Sequence, residues 1–106
     1  MPYKLRFSAR AIADIDEFTG YLSEISETLA DDYISELSDM LERYIAARPL
    51  TWSFFHLTGA PYRAYLFRVS RRSAYWVVYR VDEESQSVYV VRFWHASRAP
   101  ASFELS

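Results

Sequence analysis

The sequence predicts one α+β domain with the element order β-α-α-β-β-β, in which an N-terminal helical hairpin packs on an antiparallel sheet. Residues 3–7 alternate apolar and basic side chains, which is typical of a half-buried strand. Two stripes of apolar residues with helical spacing follow, over 12–25 and 29–45. Three runs rich in Val, Tyr, Phe and Trp then occupy 62–94, and strands favour these residue types. Helices followed by a run of strands indicate the α+β class.

The first helix is predicted to begin directly after the first strand. Ser8 is a residue type that caps helix N-termini, because its hydroxyl oxygen accepts a hydrogen bond from a backbone N–H of the first turn. The apolar residues that follow recur three and four positions apart, which predicts one buried helix face. They are Ile12, Ile15, Phe18, Leu22 and Ile25.

A second amphipathic helix is predicted after the polar stretch SEISE at residues 23–27. Pro49 ends it, because the residue before a proline is disfavoured in the α region. Two amphipathic helices with a short break between them predict a helical hairpin. The apolar stripe of the second helix consists of Leu29, Tyr33, Leu37, Met40, Leu41, Tyr44 and Ile45.

The C-terminal half predicts three antiparallel strands after an aromatic loop at 50–62. The links SRRS and DEESQS are short and polar, as hairpin connections are. In the middle strand both alternating sets of side chains are bulky, with Trp76 on one side and Tyr75 on the other. We therefore expect this strand to be covered on both faces or to line a binding groove. The three strand sequences are YRAYLFRV, AYWVVYRV and SVYVVRFW.

Length and composition limit the classes of protein and site. The chain of 106 residues predicts a single domain over 1–98 with a C-terminal tail over 99–106. It has no cysteine and two histidines, without the close helical spacing of a metal motif, so we expect no metal site and no cofactor. No apolar run reaches the ~18 residues of a membrane span, and the N-terminus lacks a signal peptide's apolar core. We expect a cytoplasmic protein without a membrane partner.

Charge is distributed unevenly along the chain. The net charge is −2, but residues 1–50 carry five basic residues against ten acidic ones, whereas residues 51–106 carry seven arginines against four acidic residues. Eleven of the twelve basic residues are arginine, which favours planar, bidentate recognition of carboxylate or phosphate. The overall balance argues against a purely electrostatic binder of nucleic acid.

The sequence resembles a known family in the order and spacing of several stretches. The opening FSARAIADIDEF, the helical hairpin, GAPYRAYLFRV, SAYWVVYRV and the ending VRFWHASR are together similar to the RelE/ParE superfamily of toxins. These proteins belong to bacterial type II toxin–antitoxin pairs. The resemblance extends over nearly the whole chain, from about Tyr3 to Arg98.

The resemblance implies a growth inhibitor that a cognate antitoxin neutralises. RelE-like members cleave mRNA on the ribosome, whereas ParE-like members inhibit DNA gyrase by binding. The ParE-like function is favoured here, because residues 50–60 contain no lysine, where RelE-like enzymes carry basic residues. Trp76 also stands where a basic residue is common, and no tyrosine follows Arg98. A ribosome-dependent mRNA endonuclease is the alternative, and a degenerate, non-toxic member is the third hypothesis.

Candidate site residues follow from the same resemblance. Arg71 matches an arginine important in the nucleases, Arg98 lies near a second one, and His95 lies close to a histidine of related nucleases; these three are the catalytic candidates. Each also has a structural interpretation, because Arg71 fits a solvated hairpin tip and His95 fits a cap on backbone groups. The predicted antitoxin- or target-binding surface consists of Arg63, Arg71, Arg72, Trp76, Arg92, Trp94 and Arg98.

Overall fold

The computed structural model of the chain describes residues 2–52, 62–71 and 73–97. The predicted α+β class and element order are confirmed. No helix within these ranges is long and apolar enough to cross a membrane. The elements are β1 (Lys4–Phe7), α1 (Ala9–Ile25), α2 (Glu27–Met40), a π-helical segment (Leu41–Ala46), β2 (Arg63–Arg68), β3 (Ala74–Asp82) and β4 (Ser87–His95).

The four strands form one sheet in the order β1-β4-β3-β2. Strands β2, β3 and β4 are the predicted antiparallel meander. Strand β1 pairs with β4 in parallel, so the sheet is mixed rather than purely antiparallel. A parallel pair requires a long crossover between its strands, and here the helices together with β2 and β3 supply it.

The helical hairpin is defined by two serine caps. The Oγ atom of Ser8 accepts a hydrogen bond from the N–H of Ala11 at 3.0 Å, and that of Ser26 accepts one from Leu29 at 3.3 Å. Because Ser26 is both the C-cap of α1 and the N-cap of α2, a single residue separates the two helices. The predicted helix break is therefore confirmed.

The buried face of α1 differs from the predicted stripe at two positions. Ala11, Phe18 and Leu22 are buried, whereas Ile12 and Ile25 are exposed. Ile12 points about 100° away from Ala11 around the helix axis, and Ile25 is the last residue of the helix. The apolar spacing of the sequence does not distinguish these flanking positions from the centre of the buried face.

Strand β3 is packed on both faces. On the face toward the helices, Val77 and Tyr79 belong to the main core together with Phe18 and Phe93. On the opposite face Val78 is fully buried next to Val91. Val91 is an extra residue in β4, because Val78 pairs with Arg92 and Tyr79 pairs with Val90. Because of this bulge, the side chains of Val91 and Arg92 lie on the same face of the sheet.

Candidate functional site

The predicted site residue His95 lies at one end of the sheet. There the end of β2, the turn at residues 69–71 and 73, the start of β3 and the end of β4 come together, and we call this region the hairpin end. The antiparallel register places Tyr75 opposite His95, and the N–H of Ala96 donates to the carbonyl oxygen of Ala74 at 2.8 Å. The hydroxyl of Tyr33 on α2 donates to the carbonyl oxygen of Val69 at 2.6 Å, which fixes the turn against the helices.

Both ring nitrogens of His95 contact neighbouring serines. Nε2 lies 3.2 Å from the Oγ atom of Ser73, and Nδ1 lies 2.6 Å from the Oγ atom of Ser97. The backbone N–H of Ser97 also donates to Nδ1 at 3.1 Å. A backbone N–H can only donate, so Nδ1 is the acceptor and Nε2 carries the proton of the neutral ring. His95 therefore donates to Ser73 and links the end of β4 to the turn before β3.

An inner cleft of about 280 Å³ opens between α1 and His95. Its floor is aromatic, because Tyr75 stacks on Phe93 with ring centroids 4.5 Å apart, and Phe18 packs edge-on against Tyr75 at 4.9 Å. Its described lining contains two carboxylates and no arginine or lysine. The lining residues are Asp14, Glu17, Phe18, Tyr21, Ser73, Tyr75, Phe93 and His95.

An outer groove of about 380 Å³ lies on the other side of His95 and Ser73. It contains two arginines, Arg68 on β2 and Arg71 in the turn, and both are exposed. Neither makes an ion pair with any residue in 2–52, 62–71 or 73–97. This side of the hairpin end is therefore cationic. The groove is lined by Leu66, Arg68, Arg71, Ser73, Ala74, Trp76, His95, Ala96 and Ser97.

Asp14 fixes α1 to β4 beside the inner cleft. Its carboxylate accepts hydrogen bonds from the Nε atom of Arg92 at 2.7 Å and from an Nη atom of the same residue at 3.1 Å. It also accepts one from the backbone N–H of Phe93 at 3.0 Å. Because β1 pairs with β4 only as far as Val90, Asp14 satisfies a backbone donor at the uncovered part of that edge.

The structure brings together some of the predicted site residues. Arg71, Trp76 and His95 line the outer groove. Arg92 does not join them, because it is 3 % exposed, pairs with Asp14, and lies over the ring of Trp94 at 4.6 Å. The position of Arg92 in a buried pair gives it a structural role.

Arg63 lies at the opposite end of the sheet from the turn. It is the first residue of β2 and pairs with Tyr79, and its guanidinium donates to the carbonyl oxygen of Trp52 at 2.6 Å. Arg63 thus contacts the backbone at Leu50 and Trp52 and is not part of the hairpin end. Arg72 and Arg98 lie outside the described residues, as do residues 53–61 and the predicted tail.

Three residues of the hairpin end were not singled out from the sequence. Arg68 could have been found, because it ends a strand with clear alternation and precedes the turn that contains Arg71. Ser73 and Ser97 have no comparable signal, since their contact with His95 depends on the β3–β4 register. In the described part of the chain, no group of three or more His, Asp or Glu residues could hold a metal ion.

Comparison with known proteins gives the family. The family described as the ParE toxin of the type II toxin–antitoxin system, parDE, matches residues 5–100. The chain belongs to the ParE toxin family. No curated protein sequence matches it closely enough to count as a relative.

A solved toxin–antitoxin structure shares the fold of this ParE toxin family member. A chain of the RelBE2 toxin–antitoxin complex from Mycobacterium tuberculosis superposes with a TM-score of 0.64 at 20% identity, over 92% of this chain and 95% of that chain. A chain of the intact RelBE toxin–antitoxin complex from E. coli is similar with a TM-score of 0.47 at 24% identity, over 91% of this chain and 99% of that chain. The first likeness establishes a RelE/ParE-type fold.

Proposed function

We propose that the protein is a growth inhibitor that a cognate antitoxin neutralises, and that it acts by binding DNA gyrase rather than by cleaving RNA. The match to the ParE toxin family over residues 5–100 carries the proposal. The geometry around His95 and the charges of the two cavities beside it support it independently.

The contacts of His95 are those of a structural residue. A general acid or base must reach a substrate proton with a nitrogen, but Nδ1 accepts two hydrogen bonds from Ser97 and Nε2 contacts Ser73. Proton transfer to a substrate would require one of these contacts to break. A protein that binds its target does not need that rearrangement.

The charges of the inner cleft oppose metal-independent RNA cleavage. Such cleavage needs cations around the phosphorane, whereas the described lining of the cleft includes the carboxylates of Asp14 and Glu17. The single lysine of the chain, Lys4, lies on β1, which is separated from β2 by two strands. No described arginine or lysine side chain lines this cleft, where it could stabilise a phosphorane.

The outer groove suits an acidic protein surface. Arg68 and Arg71 are exposed cations that line the same groove as the indole of Trp76, and arginine recognises carboxylates in a bidentate manner. We place the target-binding surface here. The antitoxin would neutralise the toxin by covering the same groove with an acidic segment, and complementary charge would speed encounter and fix the register of binding.

One observation favours the alternative function. Arg71 and His95 line the same groove, and this pair is part of the constellation that a RelE-like mRNA endonuclease uses. The ribosome and its mRNA would then be the target, and His95 would have to leave Ser73 or Ser97 during the reaction.

Induction of the toxin in cells distinguishes the two functions. A gyrase inhibitor is expected to cause filamentation and DNA-damage signalling within one or two generations, while total mRNA remains intact. Coexpression of the antitoxin is the control and should restore growth. Cleavage of transcripts at codon positions within minutes of induction would instead establish the endonuclease.

A further inference from the structure

Three side chains form a row across the sheet on its face away from the helices. Arg6 on β1 pairs with Tyr89 on β4, and Tyr89 pairs with Arg80 on β3. Each of them adjoins, along its own strand, a residue that belongs to the main core or packs against it. Those neighbours are Leu5, Val88 and Tyr79. Because side chains alternate between the faces of a strand, the row points away from the core, and we call it the arginine–tyrosine row.

An aromatic ring positions one guanidinium of the arginine–tyrosine row. The Cζ atom of Arg80 lies 4.3 Å from the ring centroid of Tyr89, and stacking of this kind is a favourable cation–π contact. Both Arg80 and Arg6 are exposed. Two interstrand spacings separate their backbones, which is roughly 10 Å. Two arginines from different strands therefore flank one phenol, and both can reach a ligand above it.

The face that carries the row has an excess of positive charge. No described residue forms an ion pair with either arginine of the row, and Lys4 is exposed on the same face of β1. Asp82 lies two residues after Arg80, but its carboxylate accepts hydrogen bonds from the N–H groups of Glu84 and Ser85 at 3.1 and 3.4 Å. The pKa of Asp82 is lowered mainly by its hydrogen bonds with Ser85, and least by Arg80. Asp82 therefore serves the turn more than it neutralises the row.

The arginine–tyrosine row and the outer groove lie on the same face of the sheet. Trp76 lines the outer groove, and it stands four residues before Arg80 on β3. An even separation along a strand places both side chains on one face, about 13 Å apart. One large partner, or two partners bound to each other, can therefore contact the groove and the row together.

The row suits a phosphate backbone better than an acidic peptide. Peptides that bind a sheet gain specificity from pockets for their side chains, and no residue of the row lines the inner cleft or the outer groove. Contacts to a phosphate backbone need exposed cations and do not depend on sequence. Arginine also binds phosphate oxygens in a bidentate manner.

We propose that the arginine–tyrosine row binds the phosphate backbone of duplex DNA. The chain has a net charge of −2, so this contact is weak by itself and adds to a contact with a protein. The proposal rests on the proposed function in one respect, since gyrase holds DNA and would bring it to the row. The outer groove would then contact the enzyme, while Arg6 and Arg80 contact the DNA.

The turn between β3 and β4 limits the DNA contact on one side. Glu83 and Glu84 are exposed in this turn, where they would repel phosphates. A DNA backbone is therefore expected to cross the row on the side of the outer groove. Removal of these two charges should strengthen the contact, which gives the test a variant with a gain of affinity.

Binding of purified full-length toxin to a short fluorescein-labelled duplex tests the row directly. Arg6→Gln/Arg80→Gln should weaken binding ~tenfold at low salt and reduce the slope of log affinity against log salt by about two. Arg43→Gln/Arg48→Gln makes the same change in net charge at exposed positions outside the row, and it should leave both quantities unchanged. Thermal melts check that the variants are folded. Equal DNA affinity of the wild type and Arg6→Gln/Arg80→Gln would overturn the proposal.

A variant of the turn keeps the test decisive if Arg6→Gln/Arg80→Gln does not fold. Glu83→Gln/Glu84→Gln should bind the same duplex ~threefold more tightly than the wild type. Unchanged or weaker binding would contradict the proposal. Antitoxin binding is measured with the same proteins, and loss of antitoxin affinity without loss of DNA affinity in Arg6→Gln/Arg80→Gln would identify an acidic protein segment as the occupant and overturn the proposal.

Purified gyrase separates this inference from the proposed function. Binding of labelled toxin to gyrase is measured with and without relaxed plasmid. We expect the plasmid to tighten binding of the wild type ~tenfold and to leave that of Arg6→Gln/Arg80→Gln unchanged. Equal tightening of both proteins by the plasmid, or none in either, would overturn the inference alone. Failure of the toxin to bind gyrase under both conditions, with the labelled duplex still bound through the two arginines, would overturn the proposed function and support the row as a DNA site.

Discussion

The Nε2 atom of His95 lies 3.2 Å from the Oγ atom of Ser73, so a single side chain ties the end of β4 to the turn between β2 and β3. The inner cleft and the outer groove meet at these two residues. Disturbing His95 is therefore expected to alter the shape of the hairpin end even if no chemistry takes place there.

Substitution of His95 separates binding from catalysis. The amide of His95→Gln can still donate to Ser73 but cannot exchange a proton at neutral pH, whereas His95→Ala loses both abilities. We expect His95→Gln to retain much more growth arrest than His95→Ala. A general acid or base contributes ~100- to 10,000-fold in rate, so an endonuclease that depends on His95 would lose activity equally in both variants. Growth curves after induction measure the effect, and thermal melts confirm that each variant is folded.

Charge reversal at the turn tests the target surface. Arg71→Glu places a negative charge in the outer groove, and we expect it to abolish growth arrest while the stability of the fold changes by about 0.5 kcal/mol or less. Arg48→Glu is the matched control, because Arg48 is also exposed and lies outside both cavities of the hairpin end. Growth arrest is scored after equal induction. Full toxicity of Arg71→Glu, or equal loss in both variants, would argue against the groove as the target surface.

Much of the fold follows from sequence patterns because they are local. The alternation in residues 3–7, the cap at Ser8, the polar break at 23–27 and the two polar links each act within a few residues. The parallel pairing of β1 with β4 is not local, since it depends on how the helices return the chain to the sheet. Ile12 shows the same limit, because helical spacing predicts which residues share a helix face but not how much of that face is buried.

The site was only partly predictable for the same reason. Arg71 and His95 are prominent in the sequence, and the fold brings both to the hairpin end. Arg92 is equally prominent, but the β4 bulge and the position of Asp14 on α1 turn it into a buried structural residue. No sequence pattern links positions 78 residues apart, as Asp14 and Arg92 are.

Removal of either side chain of the Asp14–Arg92 pair is expected to destabilise the fold strongly. The side chains of Arg92 and Asp14 are 4% and 12% exposed, and removal of one partner leaves a buried charge uncompensated. We expect Asp14→Ala to lower the free energy of unfolding by ~3–5 kcal/mol. The double variant Asp14→Ala/Arg92→Met should recover part of this loss, which chemical denaturation of the wild type, Asp14→Ala, Arg92→Met and the double variant would measure. Additive losses of unfolding free energy would show that the two side chains do not stabilise the fold by interacting with each other.

Tyr79 predicts a specific loss of stability at alkaline pH. Its buried hydroxyl donates to the carbonyl oxygen of Pro49 at 2.6 Å, and burial raises the pKa of Tyr79 well above its ordinary value of 10.0. The neutral phenol is favoured in the folded state, so its contribution is fully present below pH 10 and is lost as the pH rises above that value. Between pH 9 and 11, the unfolding free energy of the wild type should fall more steeply than that of Tyr79→Phe. Parallel pH profiles would contradict this assignment.

Inhibition of purified DNA gyrase tests the central claim most directly. Supercoiling of relaxed plasmid is measured while purified toxin is titrated in, with toxin preincubated with its antitoxin as the control. The proposal predicts that supercoiling stops as toxin approaches the gyrase concentration, that Arg71→Glu abolishes the inhibition, and that the antitoxin prevents it. Unimpaired supercoiling at every toxin concentration, together with cleavage of mRNA by the same preparation on translating ribosomes, would contradict it.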